Sequence, residues 1–225
     1  AITLGDTVKS DGTNRSLTIN DSGTTTLAGA IGGSTDGEKL SSLTTDAGGN
    51  TLLNAGGVRT TGAQTFGDAV TLGANTTLSG VVITLGNTVN SDGTNRSLTI
   101  NDSGTTTLAG AIGGSTDGEK LGSLTTDAGG NTLLNAGSVR TTGAQTFGDA
   151  VTLGVNTDLM ASTVTTQEVL VGNAKTLTIT GNAVLGDGAA DTLTGLTILS
   201  VSGTTAINTN TITSTGAQTY SGAVT

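Results

Sequence analysis

The sequence predicts an all-β chain folded as a parallel β-helix, a solenoid of roughly 8–11 short coils stacked at about 4.8 Å. Three observations carry this. A long unit recurs almost unchanged, apolar residues alternate with polar ones in short segments, and Gly-, Asn- and Asp-rich corners separate those segments.

The repeat is read first, because a missed period misassigns the whole fold. Residues Thr3–Leu78 return as Thr84–Leu159, and only Asp6/Asn87, Lys9/Asn90, Ser41/Gly122, Gly57/Ser138, Ala74/Val155 and Thr77/Asp158 differ. The sequence units are therefore 3–83, 84–164 and a degenerate third, 165–225, all within one continuous solenoid over residues 1–225. Thr-Gly-Ala-Gln-Thr-Phe at 61–66 and 142–147 returns as Thr-Gly-Ala-Gln-Thr-Tyr at 215–220, so the third unit has lost about eight residues.

Within each unit the segments read Leu17-Thr18-Ile19, Val70-Thr71-Leu72, Leu177-Thr178-Ile179 and Leu196-Thr197-Ile198. Period two sends alternate side chains to opposite faces, as a strand does. Apolar clusters at Leu4, Leu17, Leu27, Leu40, Leu52, Phe66, Val70 and Leu78 recur about every ten residues, two or three to a coil. Between them lie Ser10-Asp11-Gly12, Asp21-Ser22-Gly23, Gly32-Gly33-Ser34, Asp46-Ala47-Gly48-Gly49-Asn50 and Asn54-Ala55-Gly56-Gly57. These residue types accept the backbone of tight corners. Leu and Val are expected inside, with Thr on the exposed β-faces.

The alternative architecture is a string of immunoglobulin-like β-sandwiches, since the span from Thr3 to Ile83 is close to that domain size. Strand length favours the solenoid: a sandwich wants strands of about 5–6 residues around a bulky centre. Phe66, Phe147 and Tyr220 are the only aromatic residues. A stacked solenoid also absorbs a deletion at a corner, whereas a closed sandwich core does not. Disorder is disfavoured by the regular apolar placement, although the aliphatic content lies just above the roughly 20 % associated with disordered chains.

Composition narrows the function. Eight Lys+Arg against 17 Asp+Glu gives a net charge of −9, without the basic face that neutralises phosphates or holds an anionic membrane. His and Cys are absent, which removes the commonest general base, the commonest metal ligand and any disulfide framework. No apolar run approaches the roughly 18 residues of a membrane span. No signal peptide is visible, and the start in mid-pattern reads as a piece of a longer protein.

The stretch Thr-Thr-Gly-Ala-Gln-Thr-Phe-Gly-Asp-Ala-Val-Thr-Leu-Gly (60–73, again 141–154) resembles repeats of filamentous-haemagglutinin-like exoproteins and related autotransporter passengers. So does Ser-Gly-Thr-Thr-Thr-Leu-Ala-Gly-Ala-Ile-Gly-Gly (22–33, again 103–114). The resemblance implies a right-handed parallel β-helix, export across a Gram-negative outer membrane, and a place on the cell surface or outside the cell. It implies a rigid shaft for adhesion or biofilm, with host or bacterial surface ligands bound by regions beyond this chain. A self-assembling extracellular filament or sheath, associating through the ends or flanks of the helix, is the rival reading. A polysaccharide-active β-helix enzyme is the third.

The candidate sites read as structure. Asp11, Asp36, Asp92, Asp117 and Asp187 each precede Gly in a turn context, and most carboxylates of the first unit have a twin in the second. Corner capping explains them better than catalysis. Gly186-Asp187-Gly188-Ala189-Ala190-Asp191-Thr192-Leu193 partly matches a calcium-binding nonapeptide but lacks two of its glycines and stands alone. Thr24-Thr25-Thr26, Thr209-Asn210-Thr211 and Thr211-Ile212-Thr213 do not recur once per coil, as an ice-ordering face requires. Asn14-Arg15-Ser16, Asn20-Asp21-Ser22 and Asn75-Thr76-Thr77 fit a glycosylation pattern that arises by chance in Thr/Asn-rich sequence. The sequence thus assigns no catalytic, cofactor or metal residue, no nucleic-acid or membrane partner, and no enzyme activity.

Overall fold

The computed structural model describes residues 1–188 and 190–225. Among these residues there is no α-helix, and one 3₁₀ turn spans Asp36–Glu38. The fold is a β-solenoid of parallel strands stacked in about 10 turns.

Three faces make each turn. On the first, Ile2 pairs with Thr25, then Thr51, Val70 and Val89. Bridges continue this rank through Ile112 to Val139, and pairings carry it on to Leu159, Ile179, Val201 and Tyr220. The second face runs Val8, Ile31, Val58, Leu78, Ile100, Thr126, Phe147, Thr166, Leu185 and Ile207. The third runs Leu17, Leu43, Gln64, Ile83, Thr106, Thr132, Val151, Leu170, Leu193 and Ile212. The climb from Ile2 to Tyr220 spans about 48 Å at the ~4.8 Å separation of neighbouring strands.

The repeat and the coil are out of phase. Ile2–Leu4 lies on the first face, but its twin Ile83–Leu85 lies on the third. Val8 is on the second and Val89 on the first. One unit contains eleven strand segments, which at three per coil is three coils and two faces. Each copy is therefore turned by one face. The Gln-Thr-Phe/Tyr segment shows this directly: Gln64–Phe66 is on the third face, Gln145–Phe147 on the second and Gln218–Tyr220 on the first.

The deletion in the third unit leaves this segment count intact. From Gln145 to Gln218 the chain advances by as many segments as from Gln64 to Gln145. Most of the loss falls at one corner, where the long step from Ile112 to Leu124 becomes the short step from Leu193 to Leu199. Corners project from the stack and can shorten, whereas a lost segment would expose the face of the coil beneath.

The core is one column. Leu27, Leu43, Leu53, Leu72, Leu78, Ile100 and both Phe66 and Phe147 are fully buried. Threonine departs from the expected inside–outside division. Thr18, Thr44, Thr65, Thr84 and Thr107 form an outward ladder on the third face, and Thr77, Thr99, Thr125, Thr146 and Thr165 one on the second. But Thr25, Thr51, Thr106 and Thr132 point inward and are fully buried. A β-branched side chain suits either side of a strand, and the thin interior has room for its small volume.

Glycine matters most where corners touch. Gly32 and Gly113 have φ of +79° and +74°, and a Cβ on either would come within 2.0 and 2.1 Å of the carbonyl oxygens of Arg59 and Arg140. Both the left-handed backbone and the close approach of the next coil exclude a side chain there.

Candidate functional site

Ile100, Thr126 and Phe147 stack on the second face and point inward, Thr126 and Phe147 at the end of their strands and Ile100 two residues before the end of its own. The chain then turns toward the third face, and Asp102, Asp127 and Asp149 occupy that corner on three successive coils. Asp102 is 2 % exposed and Asp149 0 %. One carboxylate oxygen from each lies within 4.8 Å of the other two.

The corner backbone holds these side chains in place. The Asp102 N–H donates to Asp127 Oδ1 at 3.0 Å, and the Gly130 N–H to Asp149 Oδ1 at 2.9 Å. The Thr132 hydroxyl donates to Asp149 Oδ2 at 3.0 Å, and the Thr106 hydroxyl to Asp102 Oδ1 at 2.5 Å. Two of the inward threonines thus serve the corner carboxylates. Asp102 Oδ2 is buried and makes no hydrogen bond. None of the three aspartates joins an ion pair among the described residues.

Burial raises the Asp102 pKa above its ordinary value, and the neighbouring carboxylates of Asp149 and Asp127 raise it further. Asp149 is raised for the same reasons, burial first and then Asp127. Such a constellation can retain protons or accept a cation.

The twin corner, built from Asp21, Asp46 and Asp68, lies between the third and first faces. It repeats the scaffold, with the Asp21 N–H on Asp46 Oδ1 at 3.0 Å, the Gly49 N–H on Asp68 Oδ1 at 2.9 Å and the Thr51 hydroxyl on Asp68 Oδ2 at 3.0 Å.

The Asp-Gly positions singled out in the sequence behave as corner residues. Asp11 and Asp92 accept the N–H groups of Thr13 and Thr94 at 3.3 and 3.1 Å and pair with Arg15 and Arg96. Asp36 and Asp117 pair with Lys39 and Lys120 at 2.8 Å. In the nonapeptide-like segment, Asp191 accepts the N–H groups of Asp187 and Gly188 at 2.8 and 2.9 Å, closing a turn. Ala189 of that segment lies outside the described residues.

Sequence reasoning misses Asp102, Asp127 and Asp149, because none of them is followed by glycine. The available signal is their spacing: each stands one coil beyond the last, in step with Ile100, Thr126 and Phe147. It becomes legible only when the coil length is known.

No protein-family model, curated protein or solved structure matches this chain. Among the described residues no helix is long and apolar enough to cross a membrane, and no pocket opens on the surface.

Proposed function

We propose that this chain is a length of structural shaft from a large secreted or cell-surface adhesin-like exoprotein. The observation that carries the reading is the rotation of the repeat. Each copy adds three coils and two faces to the same stack, so duplication lengthens the rod without interrupting its core. A module built in this way gains reach with every copy and places equivalent side chains on a new face each time. That serves spacing better than it serves a single converging site.

Export to the outside of a Gram-negative cell, and a role in adhesion or biofilm, rest on the resemblance of residues 22–33 and 60–73 to haemagglutinin-like repeats. The absence of Cys and the stacked core suit a protein that must stay folded outside the cell without disulfides. The test is negative-stain imaging of the longer parent protein. A continuous unbranched rod that lengthens by about 18 Å for each added repeat unit supports the shaft, from eleven segments at ~4.8 Å per three. A flexible chain of beads contradicts it.

A further inference from the structure

We propose that Asp102, Asp127 and Asp149 form a binding site for one calcium-like divalent cation, which ties three successive coils together at a single corner of the rod.

The geometry carries this first. The three carboxylates come from three coils, and their ligand oxygens lie within 4.8 Å of one another. A calcium ion binds oxygen at about 2.3–2.6 Å, so oxygens on opposite sides of it are about 5 Å apart. Every side-chain donor at the corner is a carboxylate or hydroxyl oxygen, and the chain holds no His or Cys. Oxygen-only sets of this kind select hard cations.

A second, independent observation points to a missing partner. The Thr126 hydroxyl, on a side chain 1 % exposed, reaches toward the Asp149 carboxylate but leaves its own oxygen without a donor. Asp102 Oδ2 is likewise buried and unpartnered. Two oxygens aimed into one acidic corner, neither with a donor, are what a bound cation satisfies and what an empty corner leaves costly. At the twin corner Asp21 Oδ2 and Thr45 Oγ1 also lack partners, but the carboxylates of Asp21, Asp46 and Asp68 do not converge within 4.8 Å of one another, so the site is expected once.

Calcium is preferred over magnesium because the ligands are side chains fixed by backbone hydrogen bonds. Magnesium demands near-ideal octahedral geometry and gives up its water reluctantly. A cation here would join coils that otherwise meet through strand pairing and packing, and would remove the repulsion among three close carboxylates.

The test is isothermal titration calorimetry of the full chain, stripped with a chelator and then titrated with calcium chloride, magnesium chloride or sodium chloride. The expected result is one saturable calcium site with a dissociation constant on the order of 10⁻⁴–10⁻³ M, typical of extracellular calcium modules. Magnesium should bind at least about tenfold more weakly, and the melting temperature should rise with calcium alone. Asp127→Asn and Asp149→Asn should each weaken calcium binding about tenfold or more and abolish the thermal shift. The exposed Asp158→Asn, which removes the same charge, should leave both unchanged. Circular dichroism of the stripped variants reports folding independently of the ion. The proposal is overturned by no saturable calcium heat and no thermal shift up to about 10 mM, or by calcium binding that survives in Asp127→Asn.

Discussion

Replacing Gly113 by Ala tests how tightly the coils are drawn together at their corners. Gly113 has φ of +74°, and an added Cβ would lie 2.1 Å from the carbonyl oxygen of Arg140. Ordinary contact between such atoms is over ~3 Å, so the two coils must part locally by roughly 1 Å. Two short bonds hold that corner, Gly113 N–H to Val89 O at 2.7 Å and Arg140 N–H to Ile112 O at 2.7 Å. The left-handed backbone costs about 1–2 kcal/mol for Ala, and weakening one or two hydrogen bonds adds about 0.5–1.5 kcal/mol each. The expected loss is about 2–4 kcal/mol. Gly195→Ala is the control. Its φ is +72°, close to that of Gly113, and the nearest atom to the new Cβ is at an ordinary 3.5 Å, so only the backbone term of about 1–2 kcal/mol applies. Urea unfolding followed by circular dichroism, with the denaturant slope checked for constancy, measures both. A Gly113→Ala cost no greater than that of Gly195→Ala would refute the close approach of the coils.

Other outcomes follow from the same structure. Phe147→Ala should cost about 3–5 kcal/mol, because the ring is fully buried and the coils above and below cannot collapse into the space. Phe66→Ala should cost about the same despite lying on another face, and urea unfolding of the pair checks this. Ala174→Gly should stabilise the chain by about 1 kcal/mol, since Ala174 sits at φ of 56°; thermal melting reads the gain. The folded pKa values of Asp102 and Asp149 are raised above 3.8, so the folded state holds more protons than the unfolded state in the window above 3.8. Stability in the presence of a chelator should therefore rise as pH falls from neutral through those raised values. Below 3.8 it should fall, because Asp36, Asp92 and Asp117 are paired with Lys39, Arg96 and Lys120 and their pKa values are lowered. A pH series of urea midpoints checks the sign, and Asp149→Asn should flatten the upper limb.

Much of the fold was legible because a solenoid repeats its rules locally. Leu17-Thr18-Ile19 and Val70-Thr71-Leu72 alternate so plainly that strand and inward face could be read from three residues, and both form strands as expected. The burial of Thr25 and Thr51 was not legible, because Thr24, Thr25 and Thr26 put Thr on both sides of one strand, and Leu52 and Leu53 put Leu on both sides of the next. The corner cluster was hidden for a different reason. Asp102, Asp127 and Asp149 are distant in sequence and meet only through the coil length, which varies. Along the first face, the coil from Thr25 to Thr51 is longer than the one from Thr51 to Val70. The count of eleven segments per unit was equally out of reach, since it depends on three faces to a coil, and the apolar spacing allowed two or three.

The central claim is that the repeat copies form one continuous stack, each turned by one face. Cysteine cross-linking tests it most directly, because the chain has no Cys of its own. Thr84 pairs with Thr65 on the third face, whereas its sequence twin Thr3 pairs with Thr26 on the first. Neighbouring parallel strands place opposed Cα atoms at about 4.8 Å, within disulfide range. Mild oxidation of the Thr65→Cys/Thr84→Cys chain should therefore close an intramolecular disulfide rapidly and without loss of β-structure. The Thr3→Cys/Thr84→Cys chain should stay reduced under the same conditions. Closure of the second pair and not the first would contradict the rotated stack.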